Sequence, residues 1–206
     1  FLARWPGRIE AGQTSEQIIS ITDIFATCAD LLGKSLPENV CLNQELIQEA
    51  INLGCTKAKV ILTKTISLSN WMNLQCQFGC SHYGSLLTCP PYTPNAEEMA
   101  EILPEYEKAL LINASPETNV QEVGVHLEKY LKEKGFNKAF ALCAQPCDLC
   151  SPCTVTTKCQ YPEKARPPLQ ACGIDVNETM HNNGWDDLGQ QTPCAPTHAI
   201  GMVLLA

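Results

Sequence analysis

Three cysteines at two-residue intervals are the feature of this sequence that most strongly suggests chemistry. Cys147, Cys150 and Cys153 lie within seven residues, and Cys159 follows after a gap of five. Thiolates at this spacing can point into one small volume when the backbone wraps around it. Bacterial 4Fe–4S ferredoxins use such a run with a more distant fourth cysteine, often followed by proline. The run therefore predicts a metal centre.

Four further cysteines offer a second set of ligands. Cys76 and Cys80 are separated by three residues, Cys89 directly precedes Pro90, and Cys172 directly precedes Gly173. Because a proline follows it, Cys89 is an alternative to Cys159 as the fourth ligand of the run. Eight thiolates would satisfy two 4Fe–4S clusters at four each, and the sequence leaves open whether one cluster or two is formed.

Iron–sulfur is the metal centre that the spacing favours, with structural zinc as the alternative. Zinc sites made of four cysteines also use C-x2-C units, but they take them in pairs rather than in a run of three. A mononuclear iron or corrinoid site is a further possibility. Disulfides are disfavoured because the thirteen cysteines are an odd number and no export signal is visible. A reducing, cytoplasmic location is expected.

The overall charge and hydropathy restrict the class of partner. The formal net charge is −8, whereas nucleic acids and anionic membranes are bound through clusters of Lys and Arg. No run approaches the roughly 18 apolar residues that cross a bilayer. We therefore expect no nucleic-acid and no membrane partner.

The remaining polar and thiol residues have simpler interpretations. Lys164 and Arg166 are either an ordinary solvated pair or cofactor-binding residues that offset the negative charge of a thiolate-ligated cluster. The cysteines outside the motifs are interpreted as small buried or incidental thiols; they are Cys28, Cys41, Cys55, Cys143 and Cys194.

The pattern of hydrophobic residues predicts an α/β fold in which helices cover a mixed sheet, with two cysteine-rich metal-binding loops and a short N-terminal appendage. Thr22 can cap a short helix over 23–32 in the appendage. From residue 42 onwards, helices and strands alternate. The predicted helices are 44–53, 95–103 and 119–134, and the predicted strands are 58–63, 109–113, 138–143 and 198–205.

Residues 42–206 resemble an uncharacterised family of predicted metal-binding proteins, a domain of unknown function found mainly in anaerobic bacteria and archaea. The resemblance implies metal binding, with no established reaction. The segments that carry it are Cys76-Gln77-Phe78-Gly79-Cys80, Tyr83-Gly84, Thr88-Cys89-Pro90-Pro91-Tyr92-Thr93-Pro94, the Cys147/Cys150/Cys153 run, Pro162-Glu163-Lys164-Ala165-Arg166-Pro167 and Ala171-Cys172-Gly173-Ile174-Asp175-Val176.

The first 38 residues resemble a fragment of a different family, the sulfatases. The similarity lies in Phe1-Leu2-Ala3-Arg4-Trp5-Pro6-Gly7 and in the stretch 21–33. Sulfatases need a Cys-x-Pro/Ser-x-Arg motif, which this segment lacks, so no sulfatase activity is expected. Two pieces are therefore predicted: a sulfatase-like fragment over 1–41, not an independent domain, and a cysteine-rich metal-binding domain over 42–206.

The leading functional hypothesis is electron transfer or redox chemistry through an iron–sulfur centre, with a redox partner protein that the sequence does not identify. The alternatives are a zinc module that holds the fold or binds a partner, and an enzyme whose cluster has an open iron site. Whether the protein is an enzyme stays open, because no nucleophile elbow, P-loop or dinucleotide fingerprint is recognisable.

Overall fold

The computed structural model describes residues 38–186 and 198–206, with side chains from residue 42. Residues 42–206 form one compact unit. The α-helices are α1 (Glu38–Asn52), α2 (Asn70–Gly79), α3 (Ala96–Ile102), α4 (Val120–Glu133) and α5 (Val176–Asn182). The strands are β1 (Cys55–Leu62), β2 (Lys108–Ala114), β3 (Phe140–Leu142) and β4 (Ala199–Leu205).

The four strands form one sheet in the order β1-β2-β4-β3, and each neighbouring pair is antiparallel. Helix α4 connects β2 to β3. These two strands run in the same direction, and β4 is inserted between them, which makes a split βαβ unit. Strands β2 and β4 are the central ones, and both are buried along almost their whole length. Their near-continuous apolar sequences follow from burial on both faces.

Each face of the sheet carries its own hydrophobic core. On one face, Leu110 and Val203 pack with Leu127 of α4 and with Leu46 of α1. On the other face, residues of α3 and α5 and of the segment before α5 pack against the alternate side chains of β2 and β4. Alternation along the strands sends successive side chains to opposite faces. The sheet is therefore the middle of three layers.

Gly201 allows helix α4 to lie directly on the central strand β4. A Cβ atom at this position would stand 2.5 Å from Val120 Cγ1, at the first turn of α4. No such contact could persist without a shift of the helix. The close approach fixes the start of α4 relative to the sheet.

The predicted fold class is confirmed, with two corrections. The sheet is antiparallel in all three ladders rather than mixed, because β4, the strand that separates β2 from β3, comes last in the chain. The segment before the first cysteine loop is helical: Cys76 lies inside α2, which the sequence did not predict. Only Met72 and Cys76 of that helix are buried, while Trp71, Leu74 and Phe78 are exposed, so its apolar periodicity is masked.

Other predicted elements agree with the structure to within a few residues. The helix capped by Asn95 is present, and the Asn95 and Glu98 side chains form a reciprocal capping box. Helix α1 begins at Glu38, six residues before the predicted start of this helix. The predicted helix 23–32, the sulfatase-like segment, and the side chains of Cys28, Cys41 and Cys194 lie outside the described residues.

Candidate metal centre

Helix α2 positions the first two motif cysteines. Ser69 caps the helix, and its Oγ accepts a hydrogen bond from the Trp71 amide at 3.3 Å. Cys76 is on the inward face of the helix and is buried. The Cys80 amide donates to the Cys76 carbonyl at 3.3 Å, so Cys80 follows one turn later at the helix end. The two thiols therefore share one end of the same helix.

The turn that carries Cys172 packs against the same helix. Cys172 ends a 3-10 turn, Gln170–Cys172, that contacts α2. The Ser69 amide donates to the Gly173 carbonyl at 2.8 Å. Gly173 has φ of +72°, and a Cβ atom there would stand 2.6 Å from the Ala96 backbone. Glycine is thus needed both for the left-handed conformation and for the close approach of α3.

Hydrogen bonds tie the Cys89 loop to the Cys172 turn. The Gly84 amide donates to the Pro90 carbonyl at 2.8 Å, which closes the loop around Cys89. The Thr93 hydroxyl donates to the Ala171 carbonyl at 2.6 Å, one residue before Cys172. The loop containing Cys89 is thereby held against the turn containing Cys172.

Repulsion among these four thiols agrees with the hydrogen bonds that hold their segments together. We call Cys76, Cys80, Cys89 and Cys172 the first thiol group. Burial raises the pKa of Cys89 to about 12, with added repulsion from Cys80 and Cys76. Burial also raises the pKa of Cys172 to about 12, with added repulsion from Cys89 and Cys76. Raised pKa values mean that these thiols favour the protonated form unless a cation stabilises the thiolate.

The other four motif cysteines line a single cavity. We call Cys147, Cys150, Cys153 and Cys159 the second thiol group. Their cavity is narrow, about 10 Å³, and its remaining walls include Leu86, Leu87 and Thr88. All four cysteines are half-buried. Desolvation raises the pKa of Cys150, and repulsion from Cys153, Cys159 and Cys147 adds to the increase.

The two thiol groups are adjacent. Thr88 lines the cavity of the second group, and the next residue, Cys89, belongs to the first group. Consecutive Cα atoms are about 3.8 Å apart across a trans peptide. Cys147 of the second group also contributes to the raised pKa of Cys89. The loop that contains Thr88 and Cys89 therefore contributes to both groups. Cys89 is a candidate ligand in the first group, and Thr88 lines the cavity of the second group.

Comparison of the sequence with known families identifies the family of the chain that carries the two thiol groups. Residues 59–205 match the family described as "Predicted metal-binding protein (DUF2284)". The chain belongs to this family. The match includes all eight motif cysteines, in agreement with the resemblance found from the sequence. No solved structure matches the chain significantly.

A short second match lies outside the metal-binding family. Arylsulfatase G of Mus musculus is 53% identical over 38 residues, which is 18% of this chain and 7% of the sulfatase. This similarity agrees with the predicted sulfatase fragment and covers only a small part of that protein's length. No helix within the described ranges is long and apolar enough to cross a membrane.

The structure of this metal-binding family member separates the predicted ligands into two sets of four. The sequence left open whether Cys89 or Cys159 completes the run of three, and the geometry groups Cys159 with the run and Cys89 with Cys172. Within 38–186 and 198–206, no three His, Cys, Asp or Glu side chains stand close enough to hold one metal ion. The role of the eight cysteines as ligands stays a prediction.

The two predicted cofactor-binding residues differ in their surroundings. Lys164 is exposed. Arg166 is buried and forms a two-pronged ion pair with Glu128, with Nε–Oε2 and Nη2–Oε1 distances of 2.7 and 2.8 Å. Its charge is thus balanced locally by a carboxylate. Sequence reasoning missed Glu128, since nothing in its spacing links it to the cysteines. Thr88 directly precedes Cys89, but its residue type does not indicate a role at a metal centre.

Cys55 and Cys143 are both buried. Desolvation raises the pKa of Cys55 to about 11. The Cys143 thiol donates to the carbonyl oxygens of Arg166 and Gln145, at 3.0 and 3.2 Å. Burial raises the pKa of Cys143, and repulsion from Cys147 and Cys172 adds to it. Cys143 therefore stands near both thiol groups as a hydrogen-bond donor.

Proposed function

We propose that this protein holds a 4Fe–4S cluster at each of its two thiol groups and acts in electron transfer with a redox partner protein. The observation that carries the proposal is the division of the eight motif cysteines into two sets of four. A 4Fe–4S cluster takes four cysteine thiolates, so the ligand count agrees for both groups without a shared or missing donor.

The donors suit a soft metal centre. Cysteine thiolate is the ligand of iron–sulfur clusters and of zinc, whereas Mg²⁺ and Ca²⁺ prefer oxygen. The Thr88 hydroxyl also supports a thiolate-bound group. It is buried, and its Oγ1 has no hydrogen-bond partner among the described residues. A buried hydroxyl without a partner costs about 1–3 kcal/mol, and sulfur of a bound centre would be an acceptor beside it.

The surrounding protein would expose the two centres to solvent to different extents. When bound, iron–sulfur clusters supply one-electron redox chemistry at potentials set by hydrogen bonds, charge and exposure. Cys76, Cys89 and Cys172 are buried at 7%, 5% and 1% exposure, whereas Cys80 is half-buried, so the fold shields most of the first group from water. All four cysteines of the second group are half-buried, so the second group would be more accessible to a partner.

Zinc at the second thiol group is the second candidate. The cavity that these four thiols line together with Leu86, Leu87 and Thr88 has a volume of about 10 Å³, which is closer to the size of one ion than to that of a four-iron cluster. Tetrahedral zinc holds its sulfur ligands about 3.8 Å apart. Metal analysis distinguishes zinc from an iron–sulfur cluster. The absorption spectrum does so as well, because zinc has no d-electron transitions and its sites are colourless.

The test is anaerobic purification of the full chain followed by iron, acid-labile sulfide and zinc analysis. We expect about eight irons and eight sulfides per chain, from two clusters of four each. A broad visible absorption should bleach with dithionite and return with a one-electron oxidant. Stoichiometric zinc without sulfide would overturn the iron–sulfur assignment, and clusters that do not bleach reversibly would overturn electron transfer.

A further inference from the structure

The second thiol group lies in a loop whose two ends meet at one place. The loop leaves the sheet after β3 and returns at Pro167. The Cys143 amide donates to the Pro167 carbonyl at 2.8 Å, and the Leu169 amide donates to the Cys143 carbonyl at 3.0 Å. The Cys143 thiol lies within hydrogen-bond distance of two carbonyl oxygens, that of Gln145 at the start of the loop and that of Arg166 at the end of the loop. We call this meeting point, residues 143–145 and 166–169, the loop neck.

Arg166 organises the returning end of the loop. Its Nη1 donates to the carbonyl oxygens of Ala165 and Pro162, at 2.7 and 3.1 Å. Its amide donates to Gln121 Oε1 at 3.3 Å. The guanidinium also stands 5.1 Å from the centre of the Phe140 ring. A planar group with five donors can fix several acceptors at once, which lysine cannot do.

Glu128 connects this end of the loop to the sheet. Its carboxylate accepts both Arg166 bonds and also the Ala141 amide of β3 at 3.0 Å. Glu128 is 3% exposed and Arg166 is 7% exposed. Burial raises the pKa of Glu128, but hydrogen bonds from Arg166, Lys132 and the Ala141 amide outweigh it, so the pKa is lowered. A buried ion pair thus joins α4, β3 and the loop end.

The neck reaches the second thiol group directly. Ala165, whose carbonyl Arg166 holds, lines the thiol cavity. The contacts run from the ion pair to the cavity without a gap.

We propose that Glu128 and Arg166 are positioning residues that close the loop neck and keep the four cysteines of the second thiol group around one cavity, ready to bind metal. The inference rests on the proposed function in one respect, that the second group binds metal. It assigns Arg166 a geometric role in place of compensation of a cluster's charge, since Glu128 already neutralises the guanidinium.

The experiment measures thiol protection residue by residue. The full chain is reconstituted anaerobically with ferrous iron and sulfide, alkylated briefly, and analysed by mass spectrometry of its peptides. In Arg166→Met we expect Cys147, Cys150, Cys153 and Cys159 to lose protection at least tenfold, while the first thiol group stays protected. Glu128→Gln should act in the same direction, and Arg166→Lys should lose less.

Two further variants separate positioning from general stability. Glu105→Gln breaks the exposed Lys138–Glu105 ion pair, whose Nζ–Oε2 distance is 2.7 Å, and should leave every thiol protected. Glu128→Met combined with Arg166→Met replaces the pair by apolar side chains, which often restores stability. The double variant should fold and still show selective loss of protection in the second group.

Three results would overturn the proposal. They are equal loss in both thiol groups in every variant, full protection in Arg166→Met, or recovery of protection in the double variant. If no thiol of the unaltered chain is protected, the proposed function itself fails, and the positioning role fails with it. Protection confined to the first group in the unaltered chain would contradict the positioning role and the second proposed cluster, but not the first. Full protection of both groups in the unaltered chain and in Arg166→Met would contradict the positioning role alone.

Discussion

Each thiol group contains four cysteines, but different kinds of structure position them in the two groups. The first is built on secondary structure: α2, a 3-10 turn and a loop that hydrogen bonds hold to that turn. The second lies on one long loop, whose described backbone bonds between Cys147 and Cys159 stay within the loop itself, as in Val155 N–H to Cys153 O. The first is therefore arranged by packed secondary structure, whereas we expect the second to depend on contacts at the loop neck and on a bound metal.

This difference agrees with the burial of the two groups. The core on one face of the sheet contains Cys172, in contact with apolar side chains of β2 and β4. Metal-binding free energy at such a site is also folding free energy. Loss of the metal at the first group should disturb the core, while loss at the second should disturb mainly a surface loop.

The largest expected effect compares the same substitution in the two groups. Cys172→Ser should lose the first centre and lower the free energy of unfolding by several kcal/mol, because a hydroxyl replaces a buried thiolate and metal energy is lost as well. Cys150→Ser should lose the second centre with a smaller change in melting temperature. Metal per chain and thermal unfolding test both.

Cys55→Ser is the matched control for these two variants. Cys55 is buried at 4% exposure but belongs to neither thiol group. We expect full metal content and a cost of about 1 kcal/mol. Equal metal loss in all three variants would show that the division into two groups is wrong.

The second expected effect concerns the ion pair at the loop neck. Since the pKa of Glu128 is lowered in the folded state, its contribution to stability is present above the usual value near 4.5 and is lost as pH falls through the folded pKa. Glu128→Gln leaves Arg166 buried without a counter-charge and should cost about 3 kcal/mol at pH 7.

Urea unfolding between pH 3 and pH 7 measures this effect. The Glu128→Gln variant should show a flatter dependence of unfolding free energy on pH than the unaltered chain. The same slope in both proteins would exclude Glu128 as a source of the pH dependence.

A smaller effect should appear in hydrogen exchange. We expect amides of residues 146–160 to exchange at least tenfold faster without metal, which corresponds to about 1.4 kcal/mol of local stability. Amides that tie the first group to the fold, such as that of Ser69, should stay protected in both states. Slow exchange of the loop without metal would contradict a metal-dependent second group.

The smallest expected effect is at Thr88, which borders both groups. Thr88→Val removes a buried hydroxyl that has no hydrogen-bond partner in the described structure. We expect the metal-free protein to gain up to about 1 kcal/mol and the metal-loaded protein to lose a similar amount. Thr88→Ser keeps the hydroxyl and serves as the control. The same sign in both states would mean that the hydroxyl does not contact the centre.

The sequence predicts the fold well where burial gives an element a clear apolar pattern. The apolar period of one face predicts helix α4, and near-continuous apolar runs predict strands β2 and β4, since both faces of these strands are buried. Helix α2 was missed because its exposed aromatic residues hide the period. The eight cysteines could be named from spacing, but their division could not, since it depends on the contact between α2 and the turn at Cys172.

The contact between Glu128 and Arg166 could not be predicted from the sequence, although Arg166 itself is among the candidate residues that the sequence suggests. In the sequence, Glu128 is an ordinary charged residue on an amphipathic helix. Arg166 lies 38 positions further along the chain. Their bidentate contact exists only because β3 and α4 bring both ends of the loop together. A single sequence contains no signal for such long-range pairs.

The position of β4 in the sheet has a consequence for how the protein is made. The strand follows both cysteine regions in the chain, yet it fills the gap between β2 and β3. Pairings between distant segments form late because loop closure must precede them. Until residues 199–205 join the sheet, β3 lacks its neighbouring strand and β2 lacks one of its two, although all eight motif cysteines precede β4 in the chain. Newly made chains should therefore pass through a stage with exposed, uncoordinated cysteines, and their capture by metal should follow release of β4.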